Sequence, residues 1–306
     1  MKLKLLVFFL LLSIFFNSKD AFSQCSCMGG ASVGGLSPVA GTTNTGITTK
    51  GNLDALAFYK YSFGSEYYRN DSKAEPGNVA SFRSQYLGLY LNYGVFDELS
   101  IDAELGYFVE KTQDFQLYEL TGKGFSHINL NSKYIIFSDK ENEIELTAGA
   151  GVKLPFNLQK LNLPIHIQPS QNSYGLISYL FFHKGYELDD IHLFFVNRNE
   201  YLFENRDGFQ YGTAFVSSVF GSYQFIDDMN FVFELRNEIK EKDLYLGIEN
   251  LDSGYLSMIA APQISYRIDS YLLSFMFEIP LYKYYNGYQL TNDYNFGFFI
   301  SKTGIF

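Results

Sequence analysis

Residues 271–281 read YLLSFMFEIPL, and their alternation decides the fold class. Tyr271, Leu273, Phe275, Phe277, Ile279 and Leu281 point one way; Leu272, Ser274, Met276, Glu278 and Pro280 point the other. A period of two marks a strand with two unlike faces, because successive side chains leave a pleated backbone on opposite sides. The final strand repeats the pattern, setting Tyr294, Phe296, Phe298 and Ile300 against Asn295, Gly297, Phe299 and Ser301. Working back from these two, the chain divides into twelve segments of β character: 51–63, 82–95, 98–109, 124–137, 143–154, 173–184, 190–201, 209–225, 229–239, 253–267, 270–284 and 292–304. Most are at or a little above the roughly 9–11 residues that a tilted membrane strand requires.

The links between segments alternate in length. Short turns fall near Phe96-Asp97, at 138–141, 185–189 and Asp227-Asp228, and at Asp269. The longer links are 64–81, 110–123, 155–172, 202–208, 240–252 and 285–291. Short periplasmic turns and long extracellular loops are how outer-membrane barrels are built. The pattern predicts an all-β fold: a transmembrane antiparallel up-and-down β-barrel of about twelve strands, both termini periplasmic, in the outer membrane of a diderm bacterium. Charges give an independent check. By parity, Asp102, Glu104, Lys133, Glu145, Lys153, Glu234, Arg236, Arg267 and Glu278 are lumen-facing candidates, joined by Asp54 and Lys60. A basic residue facing lipid at mid-membrane costs about 2–4 kcal/mol, so a one-residue slip would be costly in several strands at once. The parity of Arg198 stays open, because Phe194 and Phe195 are adjacent.

The ends fit export. Lys2 and Lys4 precede an apolar run from Leu5 to Phe16, about twelve residues and so short of the roughly 20 of a spanning helix. With Ala21-Phe22-Ser23 as the cleavage site, residues 1–23 are a signal peptide and the mature chain starts at Gln24. Three lysines and one acid leave with the signal, so the formal net charge moves from −10 to −12. An acidic chain without a basic run excludes nucleic acid as a partner. The composition, 25 Tyr and 31 Phe beside 2 Cys, excludes a disulfide scaffold. A terminal aromatic, Phe306, closing an alternating strand resembles the signal read by the barrel-assembly machinery. The other expected partners are outer-membrane lipid and a small-molecule cargo.

The layout resembles transporter barrels grouped with the long-chain fatty-acid and phenol-degradation-pathway outer-membrane proteins. The residues that carry the resemblance are Tyr93-Gly94 before a tight turn, Asp102-Ala103-Glu104-Leu105, and Gly151-Val152-Lys153-Leu154-Pro155 entering a long loop. It covers residues 50 to 306 and implies an outer-membrane channel or transporter for small, including apolar, molecules. The competing class is a closed structural or binding barrel whose arm and loops contact a partner or a soft metal ion.

Residues 24–50 form a Gly/Ser/Thr-rich periplasmic arm or plug ahead of the barrel at 51–306. Cys25, Cys27 and Met28 make a soft donor set suited to a metal such as copper; an idle arm and a lumen plug are the other readings. Pro262 and Pro280 predict local breaks in the ladder. The four histidines, His127, His166, His183 and His192, do not assemble a nucleophile–base–orienter set. His127 follows Ser126, and neighbours in a strand point to opposite faces. Asp190 and His192 share a face, but no serine is near them. The chain is not expected to be an enzyme.

Overall fold

A computed structural model describes residues 46–156, 163–186 and 191–305. In chain order its strands are β1 (Leu53–Gly64), β2 (Glu66–Asn70), β3 (Ser72–Ala74), β4 (Ser81–Phe96), β5 (Leu99–Asp114), β6 (Glu119–Asp139), β7 (Ile144–Pro155), β8 (Gly175–Tyr186), β9 (Ile191–Leu202), β10 (Phe209–Gln210), β11 (Ala214–Ile226), β12 (Met229–Lys240), β13 (Leu244–Tyr245), β14 (Ile248–Glu249), β15 (Tyr255–Ile268), β16 (Tyr271–Thr291) and β17 (Tyr294–Lys302). Twelve long strands pair antiparallel, each with its neighbour in the chain, and β1 pairs with β17 to close the ring. The other five, β2, β3, β10, β13 and β14, are short and lie in loops at one rim.

Alternation along each strand sorts the faces. In β16, Leu272, Ser274, Met276 and Glu278 are buried inside, while Tyr271, Leu273, Phe275 and Ile279 are exposed outside. Most of the outer wall carries this aliphatic and aromatic surface, as lipid contact requires. Arg198 falls inside with Phe194 and Val196, and Phe195 falls outside.

The turns at 97–98, 140–143, 227–228 and 269–270 all lie at one rim, together with both ends of the barrel chain. Asp269 adopts a positive φ of 52°, a tight-turn conformation that Asp tolerates better than most residues. At the opposite rim, two expected loops prove to be ladder. Residues 111–114 pair with 119–122, leaving only 115–118 as a connection, and β16 continues through Thr291 with β2 added along its edge. Lys111, Thr112 and Gln113 there are polar on both faces, so the alternation that marks a half-buried strand is missing although the backbone pairing continues.

A closed ring has no edge strand to peel. Mature protein kept unheated in detergent is expected to migrate apart from a boiled sample on a gel. One mobility for both, with recovery in the periplasmic fraction, would contradict the fold.

Candidate functional site

The interior is built from inward positions two residues apart on successive strands, and charge fills much of it. On one wall Arg198 reaches Glu104 and Glu200, each at 3.5 Å, and Lys153 pairs with Glu200 at 2.6 Å. Asn129 Nδ2 donates to Glu104 at 2.9 Å. Beside them Lys133 pairs with Asp102 at 3.3 Å, donates to the Tyr90 hydroxyl at 2.7 Å and sits over the Tyr179 ring. On the facing wall Arg236 is ringed by Glu278 at 2.8 Å, Glu238 at 2.9 Å and Glu234 at 3.3 Å. Lys60 meets Glu278 at 3.0 Å. Each of these charged side chains is buried, and a buried charge is tolerated only when paired and hydrogen-bonded.

Of the residues expected in the lumen, Asp102, Glu104, Lys133, Lys153, Glu234, Arg236 and Glu278 lie in this network. Glu145 is half-buried near the short-turn rim, and Arg267 is exposed at that rim. Sequence reasoning missed Glu200, Glu238 and Lys240. Their signal was present: Arg198–Glu200 and Glu234–Arg236–Glu238–Lys240 alternate in sign at two-residue spacing, so each set shares one face of a strand. Two apolar clusters lie beside the charges. Phe58, Tyr86, Met276 and Phe299 belong to one, and Phe181, Val196, Phe220 and Val232 to the other.

One expectation is corrected. Ser126 and His127 do not point to opposite faces: both are buried, and the hydroxyl lies 2.7 Å from Nδ1. The β5–β6 register shifts between Leu105 and Tyr107, and this irregularity turns both side chains inward. His127 Nε2 is 3.8 Å from Glu104. The Ser126 hydroxyl and Nδ1 share one hydrogen bond, and Nε2 is the ring nitrogen on the side of that carboxylate. His192 stacks on His183 with a nitrogen separation of 3.1 Å; its expected partner Asp190 lies outside the described residues. So do the expected signal segment 1–23, Cys25, Cys27, Met28 and Phe306.

Both rims are obstructed. At the short-turn rim, residues 46–50 cross from the β1–β4 wall toward β7 and β8. Thr48 Oγ1 donates to Asp54 at 2.7 Å, and the Ile47 amide donates to Glu145. Gly94 is required there, because a Cβ would stand 2.3 Å from the Thr49 carbonyl oxygen and 2.4 Å from that of Thr48. At the other rim the β7–β8 loop folds inward: Ile167 is fully buried, and Lys111 Nζ donates to the Gln168 carbonyl at 3.1 Å. His166 on this loop is pushed down to about 4, first by burial and then by Lys111 and Lys240, with Asp243 opposing. The docked loop therefore favours neutral His166. Docking is complete above the imidazole's ordinary pKa of about 6.5 and weakens as pH falls toward 4. Proteolysis of the loop is expected to be faster at pH 4.5 than at pH 7.5, and His166→Ala is expected to remove that difference.

No protein-family model matches the chain, and no curated protein matches it. Solved structures do. The COG4313 outer membrane channel from Pseudomonas putida F1 superposes with a TM-score of 0.70 at 12% identity, over 83% of this chain and 96% of that one. The fold is that of an outer-membrane barrel. More distant matches are the NanC porin (TM-score 0.48, 11% identity, 82% and 98% coverage) and the CymD monoaromatic hydrocarbon channel (0.45, 11%, 93% and 98%).

Proposed function

We propose that this chain is an outer-membrane channel for small molecules whose lumen rests closed and opens by movement of its rims. The observation that carries the proposal is the interior itself. A barrel serving only as a scaffold could fill its core with apolar side chains, which are at least as stabilising as buried ion pairs. This one instead keeps oppositely charged groups on facing walls and stops both ends with chain segments. Paired charges give a polar solute places to exchange partners once the rims move, and the apolar clusters beside them give an uncharged part of a solute a surface to follow. The similarity to the COG4313 channel supports the same reading. The rim at 46–50 is the part of the arm best placed to move.

Liposome swelling tests the proposal. Replacing residues 163–171 with a Gly/Ser linker is expected to raise the entry of small sugars and amino acids several-fold over the wild-type rate. Equal rates for the variant, the wild type and protein-free liposomes would contradict it.

A further inference from the structure

The inner face of the short-turn rim holds two imidazoles in contact. His183 lies near the end of β8 and His192 at the start of β9, and by parity both point inward with Phe181 and Phe194. His183 Nε2 stands 3.1 Å from His192 Nδ1. The Phe194 ring lies against both, its centroid 4.8 Å from that of His183 and 6.1 Å from that of His192. Both histidines are half-buried rather than sealed in, so an ion can reach them from the mouth.

A carboxylate stands beside them. Gly185 is the next inward position after His183 and the cross-strand partner of His192. A Cβ at Gly185 would overlap Glu143 Oε2, so the Glu143 carboxylate occupies the place that a side chain at 185 would take. Glu143 arrives there from the β6–β7 turn with a positive φ of 48°, a conformation unfavourable for a residue with a Cβ. Its Oε2 is buried and has no hydrogen-bond partner among the described residues. Such an oxygen is costly to bury unless a cation or a donor comes to it. Lys184 does not fill that role. It shares the other face of β8 with Phe182 and Tyr186, where its Nζ donates to the Asn142 and Gly185 carbonyls and sits over the Tyr186 ring. Glu145, the cross-strand partner of His183, adds a second negative charge on this wall.

We propose that His183 and His192 bind a divalent transition-metal ion of the zinc or copper(II) type, the ions that imidazole suits. Two nitrogens at roughly 2.0–2.1 Å from one tetrahedral ion stand about 3.3 Å apart, within a few tenths of an ångström of the spacing of this pair. Without metal, one ring donates its N–H to the other. Binding moves that proton to the second nitrogen of the same ring, which frees both facing lone pairs and leaves both imidazoles neutral. Among the described residues no three His, Cys, Asp or Glu donors are already gathered, so water completes the coordination. The Glu143 and Glu145 carboxylates beside the pair favour a cation there, as acidic groups around metal-bound histidines do.

The test uses the untagged mature chain in detergent micelles at pH 7.5, with Cys25→Ser and Cys27→Ser removing the other soft donors. Calorimetry with Zn2+ is expected to show one ion per barrel. Glu143→Gln is expected to weaken binding about tenfold, the low end for a group beside the ligands. His183→Gln and His192→Gln should each weaken it further, whereas His166→Gln at the opposite rim leaves it unchanged. A heat-dependent gel shift like that of the wild type shows that each variant is folded. The electron paramagnetic resonance spectrum of bound Cu2+ needs no histidine variant, and coupling to two imidazole nitrogens is expected. Zinc binding that survives His183→Gln combined with His192→Gln would overturn the proposal. So would a parent chain that binds no zinc, or a copper spectrum without two nitrogens. None of these readings depends on whether the barrel conducts.

Discussion

Glu278→Ala is expected to lower the stability of the folded barrel by about 3–5 kcal/mol, the cost of stripping a buried charge of its partner. Glu278 is fully buried and holds three donors: Arg236 at 2.8 Å, Lys60 at 3.0 Å, and Asn295 Nδ2 at 2.6 Å. Without it Arg236 and Lys60 lose the carboxylate they share. Arg236 retains Glu234 and Glu238, so Lys60 bears the larger loss. Urea unfolding in detergent micelles measures the effect. Lys60→Met combined with Glu278→Leu is expected to cost less than the sum of the two single changes, because the pair leaves together and no charge is orphaned. Strict additivity would mean that the two side chains do not interact.

Removing residues 24–48 is expected to raise conductance several-fold. The crossing segment at the short-turn rim is held by few contacts, Thr48 on Asp54 and the Ile47 amide on Glu145, while Gly51 and Asn52 behind it bond the Gly94 backbone. Asp54 is a joint for both ends of the chain, since its other carboxylate oxygen accepts from the Gly304 amide at 2.9 Å. Gly94→Ala tests the same contact without a deletion. Its Cβ would overlap backbone oxygens that cannot rotate away, so the segment must shift. Conductance of Gly94→Ala should rise in the same direction but less. If both variants conduct like the wild type, this segment does not close the mouth.

The strand faces were legible in the sequence wherever one face meets lipid. YLLSFMFEIPL alternates because a wrong register would expose Glu278 to hydrocarbon, and the same pressure orders Asp102, Glu104, Lys133 and Arg236. Where that pressure ends, the pattern fades. The ladder at 111–114 and 285–291 packs against loop segments at the rim, with the polar Thr112, Gln113, Gln289 and Thr291 buried, so its composition does not distinguish strand from loop. Arg198 was hidden by the adjacent Phe194 and Phe195, one packed inside and the other outside. Ser126 and His127 could not be placed by parity, because a register shift suspends the rule at that point. The crossing of the mouth by residues 46–48 has no sequence signature: Gly, Ile and Thr in a Gly/Ser/Thr-rich arm show no period, and only the fold brings Glu145 and Asp54 within their reach.

Single-channel recording of the unmodified mature protein in planar bilayers tests the closed, charge-bridged lumen most directly. A closed lumen gives long silent periods with brief small openings, the openings lengthened when residues 24–48 are absent. A wide, steady and weakly selective current from the unmodified protein would contradict it.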